Sequence, residues 1–88
     1  MFEIEYTKSF KKSFKKLSDE DKVLSKEIIK KLSNNENLEA KYKDHNLLGK
    51  YKSFRECHIK PDLLLIYKKQ KNILILTLVE IGSHSDLF

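Results

Sequence analysis

The segment Tyr51–Ile81, YKSFRECHIKPDLLLIYKKQKNILILTLVEI, decides the fold. Its three runs, Tyr51 to Ile59, Asp62 to Lys69 and Asn72 to Ile81, are rich in Leu, β-branched and aromatic residues, and the joints between them are short. Runs of this length with such connections predict three antiparallel strands in a meander. Lys60-Pro61 makes the first tight turn and Lys69-Gln70-Lys71-Asn72 the second. Side chains alternate across a strand, so Tyr51, Ser53, Arg55, Cys57 and Ile59 share one face of the first run. Lys52, Phe54, Glu56, His58 and Lys60 share the other, which is too polar to lie beneath helices and is predicted to be open.

Upstream, the period changes twice. Phe2, Ile4 and Tyr6 alternate with acidic residues and predict a short strand with one buried face. Phe10, Phe14 and Leu17 then recur at helical spacing, leaving Lys8, Lys11, Lys12, Lys15 and Lys16 on a solvated surface. Ser18 followed by Asp21 marks a second helix start, running to about Leu32 and burying Val23 or Leu24, Ile28 and Leu32. From Ser33 to Gly49 no period is evident, which predicts a surface connection carrying His45. The expected architecture is therefore α+β, in the order β-α-α-β-β-β, with a helical hairpin packed on one face of an antiparallel-rich sheet.

The 88 residues are enough for one small core, so a single domain over 1–88 is expected. Net charge is +5, from 17 lysines and one arginine, Arg55, against 13 acids. That balance favours an acidic partner, nucleic acid first and an acidic protein second. Cys57 has no partner for an intramolecular disulfide, and no apolar run has the length of a membrane span or the flanks of a signal peptide. A cytoplasmic protein without membrane contact is expected.

Three histidines occupy compact polar motifs: Asp44-His45-Asn46, Glu56-Cys57-His58 and Gly82-Ser83-His84-Ser85-Asp86-Leu87-Phe88. Imidazole moves protons near neutrality. No two of the histidines have the short spacing of zinc ligands, so metal-free acid–base chemistry on an anionic substrate, RNA foremost, is the expectation and no cofactor is called for. His45 from the loop, His58 from the strand and His84 after the last strand can converge on the open face, with Asp62 just across the turn. Blander readings stand beside these. Asp62 can cap a turn, Glu56 can pair with a lysine across the strand, Phe88 can plug the core, and Cys57 reads as a small buried hydrophobe.

In the order Asp44-His45 with Leu47 and Gly49, Arg55 to Asp62, Ile66-Tyr67, and Gly82 to Phe88, the chain resembles the YafQ branch of the RelE/ParE superfamily, the toxin halves of bacterial type II toxin–antitoxin pairs. The resemblance covers the whole chain. It implies a ribosome-dependent endoribonuclease that cuts messenger RNA in the 70S ribosome and is neutralised by a cognate, DinJ-like antitoxin covering the active face, with operator DNA contacted only through that complex. The functional positions it implies are His45, His58, Asp62 and His84 for catalysis and Phe88 for stacking on a base. Lys52 and Arg55 are candidates for holding phosphate, Arg55 alternatively facing the helices. Two positions depart from the pattern: Leu63 stands where relatives carry Trp, and Glu80 where they carry a phosphate-stabilising Arg. The alternative is a catalytically weak homologue that acts as a binding module, in operon autoregulation or as a ParE-like gyrase inhibitor.

Overall fold

The computed structural model describes residues 1–88. In chain order, β1 is Glu3–Tyr6, α1 Lys8–Lys15, α2 Asp19–Ser33, β2 His45–Asn46, β3 Arg55–Lys60, β4 Leu63–Gln70, β5 Ile75–Gly82 and α3 His84–Leu87. Short 3-10 turns occupy Ala40–Tyr42 and Gly49–Tyr51. The sheet runs β1-β5-β4-β3-β2, with β1 parallel to β5 and the other pairs antiparallel.

Local chemistry sets the hairpin. Thr7 accepts the Phe10 N–H at 2.9 Å and donates its hydroxyl to the Val79 carbonyl at 2.7 Å, so one residue starts α1 and ties it to β5. Ser18 accepts the Asp21 N–H at 3.1 Å, and Asp19, Glu20 and Asp21 lie at the positive end of the α2 dipole with Lys30 and Lys31 at the other. The helices bury Phe10, Ile28, Ile29 and Leu32 against the inner sheet face, where Cys57, Leu65, Tyr67, Leu76, Leu78 and Ile81 complete the core. Of the two candidates near the start of α2, Leu24 packs on the core and Val23 faces solvent.

Four features differ from the sequence expectation. The predicted surface connection contains β2, a two-residue strand held on the edge of β3 by the pairs His45–Glu56 and Asn46–Arg55. The meander strands start later than expected: Gly49–Tyr51 coils, and Lys71–Leu74 forms a turn with Leu74 at φ 55°. A bulge in β5 lets Leu78 and Ile81, three residues apart, both reach the inner core, where strict alternation would send one outward. Finally, the second face is not fully open. Leu64 is wholly buried and Ile66 nearly so, and Phe54, Leu87 and Phe88 gather around Ile66 as α3 folds back. Gly82 permits that return, since a Cβ there would lie 3.1 Å from the Asp86 side chain.

Candidate active site

β2 and β3 place His45 and His58 on the outer face, and α3 brings His84 in from the last strand. The His58 ring lies 5.7 Å from the His84 ring and 6.4 Å from that of His45, centroid to centroid, so the three imidazoles form a row. Ser83 and Asp86 form a reciprocal capping box around the start of α3, which fixes His84 at its first position.

Each imidazole has a distinct surrounding. The Asp62 carboxylate accepts the His84 backbone N–H at 3.1 Å and lies 3.1 Å from His84 Nδ1. These two contacts hold the Asp62 carboxyl below its usual range. A carboxylate can only accept, so in the neutral ring the Asp62 contact selects the Nδ1–H tautomer, which places the lone pair on Nε2. Asp62 thus does not merely cap its own turn; it grips the histidine from across the sheet. His45 Nδ1 meets the Lys43 carbonyl at 2.5 Å. The Nε2 atoms of His45 and His58 both face Glu56 Oε1, at 3.6 and 3.5 Å. The cross-strand lysine expected for Glu56 is replaced by two imidazoles.

The phosphate-holding candidates have surroundings of their own. Arg55 has inner-face parity but sits beyond the helices, where it donates to Asn46 at 2.6 Å, to the Tyr67 hydroxyl at 3.2 Å and to Asp44 at 3.3 Å. Burial opposes its charge, yet the bonds to Asp44 and Tyr67 outweigh burial and hold it on. Arg55 thus links β2, β3 and β4 through Asn46, Asp44 and Tyr67, the paired alternative among the sequence expectations. Lys52 is exposed in the turn ahead of β3, its N–H closing on the Gly49 carbonyl. Phe88 is 64% exposed, so it is a lip on the Ile66 cluster and not a core plug. Cys57 is fully buried, and desolvation with nearby Asp44 and Glu56 pushes its thiol up to about 12, which makes it inert as a nucleophile.

Glu80 does not join the histidines either. It accepts hydroxyl bonds from Ser9 and Ser13 of α1, the latter at 2.8 Å, and the Ile81 N–H at 3.1 Å. Partial burial raises its carboxyl, but these three donors outweigh it and leave the group below the ordinary 4.5. Glu80 is a latch between α1 and β5. Its stabilising contribution is present above that ordinary value and is lost as pH falls through the depressed one. Glu80→Arg is expected to lower stability by about 1 kcal/mol, by leaving the serine donors facing a cation, with discount for exposure. Thermal unfolding near neutral pH checks this, and the difference from the native protein should shrink in acid.

Sequence reasoning missed the groove beside the row. Tyr42, Lys41, Lys43 and Lys60 line it with His58 and His84, in a cavity of about 690 Å³. Lys60 pairs with Asp21 at 2.8 Å, so Lys41 and Lys43 are its freer cations. The signal lay in the sequence as Lys41-Tyr42-Lys43 just ahead of His45, but no periodicity told which way those residues face.

A helical hairpin on a sheet of this order, with imidazoles and carboxylates gathered beside a lysine-lined groove, is the arrangement shared with solved toxins of bacterial type II toxin–antitoxin systems. The chain belongs to the YafQ family: the model of the bacterial toxin of type II toxin–antitoxin systems, YafQ, matches residues 2–88. It is 38% identical over 85 residues to the mRNA interferase toxin YafQ of Escherichia coli K12, covering 96% of this chain and 88% of that one. Among solved structures, a metal-bound toxin from Helicobacter pylori matches with TM-score 0.87 and 43% identity over all of both chains. The E. coli DinJ–YafQ complex matches with TM-score 0.86 and 34% identity, over 100% of this chain and 99% of that one. In the present chain no three His, Cys, Asp or Glu side chains are arranged to hold a metal ion: His45 and His58 turn Nε2 to Glu56, and His84 turns Nδ1 to Asp62. No helix is long and apolar enough to cross a membrane.

Proposed function

We propose that this protein is the toxin of a type II toxin–antitoxin pair and an mRNA interferase, cutting messenger RNA in the decoding site of the ribosome in the cytoplasm. The observation that carries the reading is the Asp62–His84 pair, with its unsatisfied Nε2 one ring away from His58. His84 Nε2 takes the proton of a ribose 2′-hydroxyl. The 2′-oxygen attacks the adjacent phosphorus, the bond from phosphorus to the 5′-oxygen breaks, and His58 gives its proton to that leaving oxygen. The products are a 2′,3′-cyclic phosphate and a 5′-hydroxyl. His45 stands beside His58 in the row, and Phe88, exposed at the chain end, offers a ring on which a base can stack.

The partner is a DinJ-like antitoxin that covers the row of histidines, in keeping with the complex in which the E. coli relative was solved. Operator DNA is reached only through that complex. The test is to incubate the purified chain with a messenger RNA, with and without 70S ribosomes and with and without the antitoxin, and to map ends by primer extension. Defined cuts that need the ribosome and vanish with antitoxin support the reading. A folded protein that cuts under no condition points instead to a binding role, operon autoregulation or gyrase inhibition.

Lys41 and Lys43 give the substrate path a quantitative signature. Each phosphate neutralised on a single strand adds about −0.7 to the slope of log affinity against log salt. The double variant Lys41→Gln with Lys43→Asn, the asparagine chosen because residue 43 has φ 49°, should flatten that slope by roughly 1.4. Filter binding of a short RNA across a salt series measures it.

A further inference from the structure

The groove beside the histidines combines apolar surface with a basic rim. Leu24, Tyr42 and Pro61 supply the apolar surface, Lys41 and Lys43 stand at its edge outside the Lys60–Asp21 pair, and no carboxylate lines it. Tyr42 is held in place from two directions. Its side chain packs on the main core, and its backbone N–H closes the Ala40–Tyr42 turn on the Glu39 carbonyl at 3.0 Å. The next residue, Lys43, has left-handed backbone at φ 49°, and its carbonyl meets His45 Nδ1 at 2.5 Å, so the turn that carries Tyr42 is tied to the row of imidazoles. Lys41 Nζ lies 5.2 Å from the centre of the half-buried Tyr42 ring. A cation over a partly exposed ring is held less strongly than a stacked base, so an incoming base takes the ring and frees Lys41 for phosphate. Along β3, Phe54 just ahead of the strand lines the Phe88 cluster, His58 stands in the row, and Lys60 with Pro61 borders the groove. At about 3.3 Å per residue the two ends lie roughly 20 Å apart, with the row between them.

We propose that Tyr42 is the stacking platform for the base of the nucleotide 3′ to the cut, with Lys41 and Lys43 on the phosphate beyond it, so that the message crosses the row between Phe88 and Tyr42. This rests on the ribonuclease reading above. The side follows from the roles in that reading. His84, which takes the 2′-proton of the nucleotide 5′ to the cut, begins the short helix that Phe88 closes. His58, which protonates the departing 5′-oxygen of the nucleotide 3′ to it, shares β3 with Lys60 at the groove. An aromatic face accepts any base, since every base has a π face, and lysines take phosphate without reading sequence. The subsite therefore supplies affinity and register, holding the 5′-oxygen at His58, and leaves base identity unread.

The experiment uses ribosomes carrying a 5′-labelled messenger with one mapped cut, in two forms: ordinary, and with an abasic ribose at the nucleotide 3′ to the cut. Native protein is compared with Tyr42→Leu and Tyr42→Phe, their folding checked by circular dichroism. On the ordinary messenger Tyr42→Leu, which keeps apolar bulk against the core, is expected to lose about tenfold in kcat/KM, chiefly through KM, the size of one stacked base. Tyr42→Phe keeps the ring and should stay within about twofold of native. On the abasic messenger native protein should show a similar loss and Tyr42→Leu no further one, because the ring's partner is already gone. Equal loss by a folded Tyr42→Leu on both messengers, or no loss on either, overturns the subsite while native cleavage keeps the ribonuclease reading. Native protein that cuts the ordinary and abasic messengers equally well also overturns it, independently of any variant's folding. A native protein that cuts neither messenger overturns both readings.

Discussion

His84→Ala is expected to reduce ribosome-dependent cleavage by about 10²–10⁴-fold, the range a positioned general base supplies. The fold should survive. The His84 side chain is 57% exposed, and the contact that docks α3 is its backbone N–H on Asp62, which alanine keeps. Antitoxin binding should therefore persist in the variant, so loss of cutting with retention of the partner separates a catalyst from a pure binder. Asp62→Asn should show the same direction with smaller size, because an amide can offer N–H to Nδ1 and so favour the wrong tautomer. Primer extension on one messenger, with circular dichroism to confirm folding, measures both. Unchanged cutting by His84→Ala would remove the imidazole from the reaction.

Leu65→Ala carries the largest expected effect on stability. Leu65 is fully buried in the central strand β4, flanked by Cys57 and Ile81 across the two ladders, and belongs to the main core beneath the helices. Deleting a buried leucine to alanine costs about 2–5 kcal/mol, from lost transfer energy and the cavity left behind. A small domain has only about 5–15 kcal/mol in total. At about 4–8 °C per kcal/mol for chains of this size, Tm should fall by roughly 10–20 °C or more. The half-exposed Ile73, in the β4–β5 turn, is the control: its alanine variant should lie within about 0.5 kcal/mol of the native protein. Comparable losses at the two positions would mean that the packing described for β4 is wrong.

The helices and the identity of the meander strands were legible because their signals are local. Ser18 with Asp21 begins α2 wherever the chain goes, and Phe10 with Phe14 marks the apolar side of α1. Strand parity also placed Glu56 and His58 on one face, and the motif order placed His45, Asp62 and His84 near them. Parity failed where the ladder is irregular. The β5 bulge sends Leu78 and Ile81 to the same side, and two residues of β2 are too short a run to leave a periodic trace.

Side-chain partnership was the harder matter, because it depends on what arrives from elsewhere in the chain. The sequence left Arg55 between holding phosphate and pairing within the fold, and only the structure shows Asp44 and Tyr67 meeting it and Ser9 and Ser13 bonding Glu80. The sequence by itself determined the α+β class, the basic surface, the three imidazoles and the family. Only the tertiary structure decided that Asp62 grips His84, that Glu56 lies between His45 and His58, that Arg55 meets Asp44 and Tyr67, and that Glu80 meets Ser9 and Ser13. Period and propensity act over a few residues, whereas a carboxylate's charge partner is set by whichever strand or helix packing brings within about 4 Å.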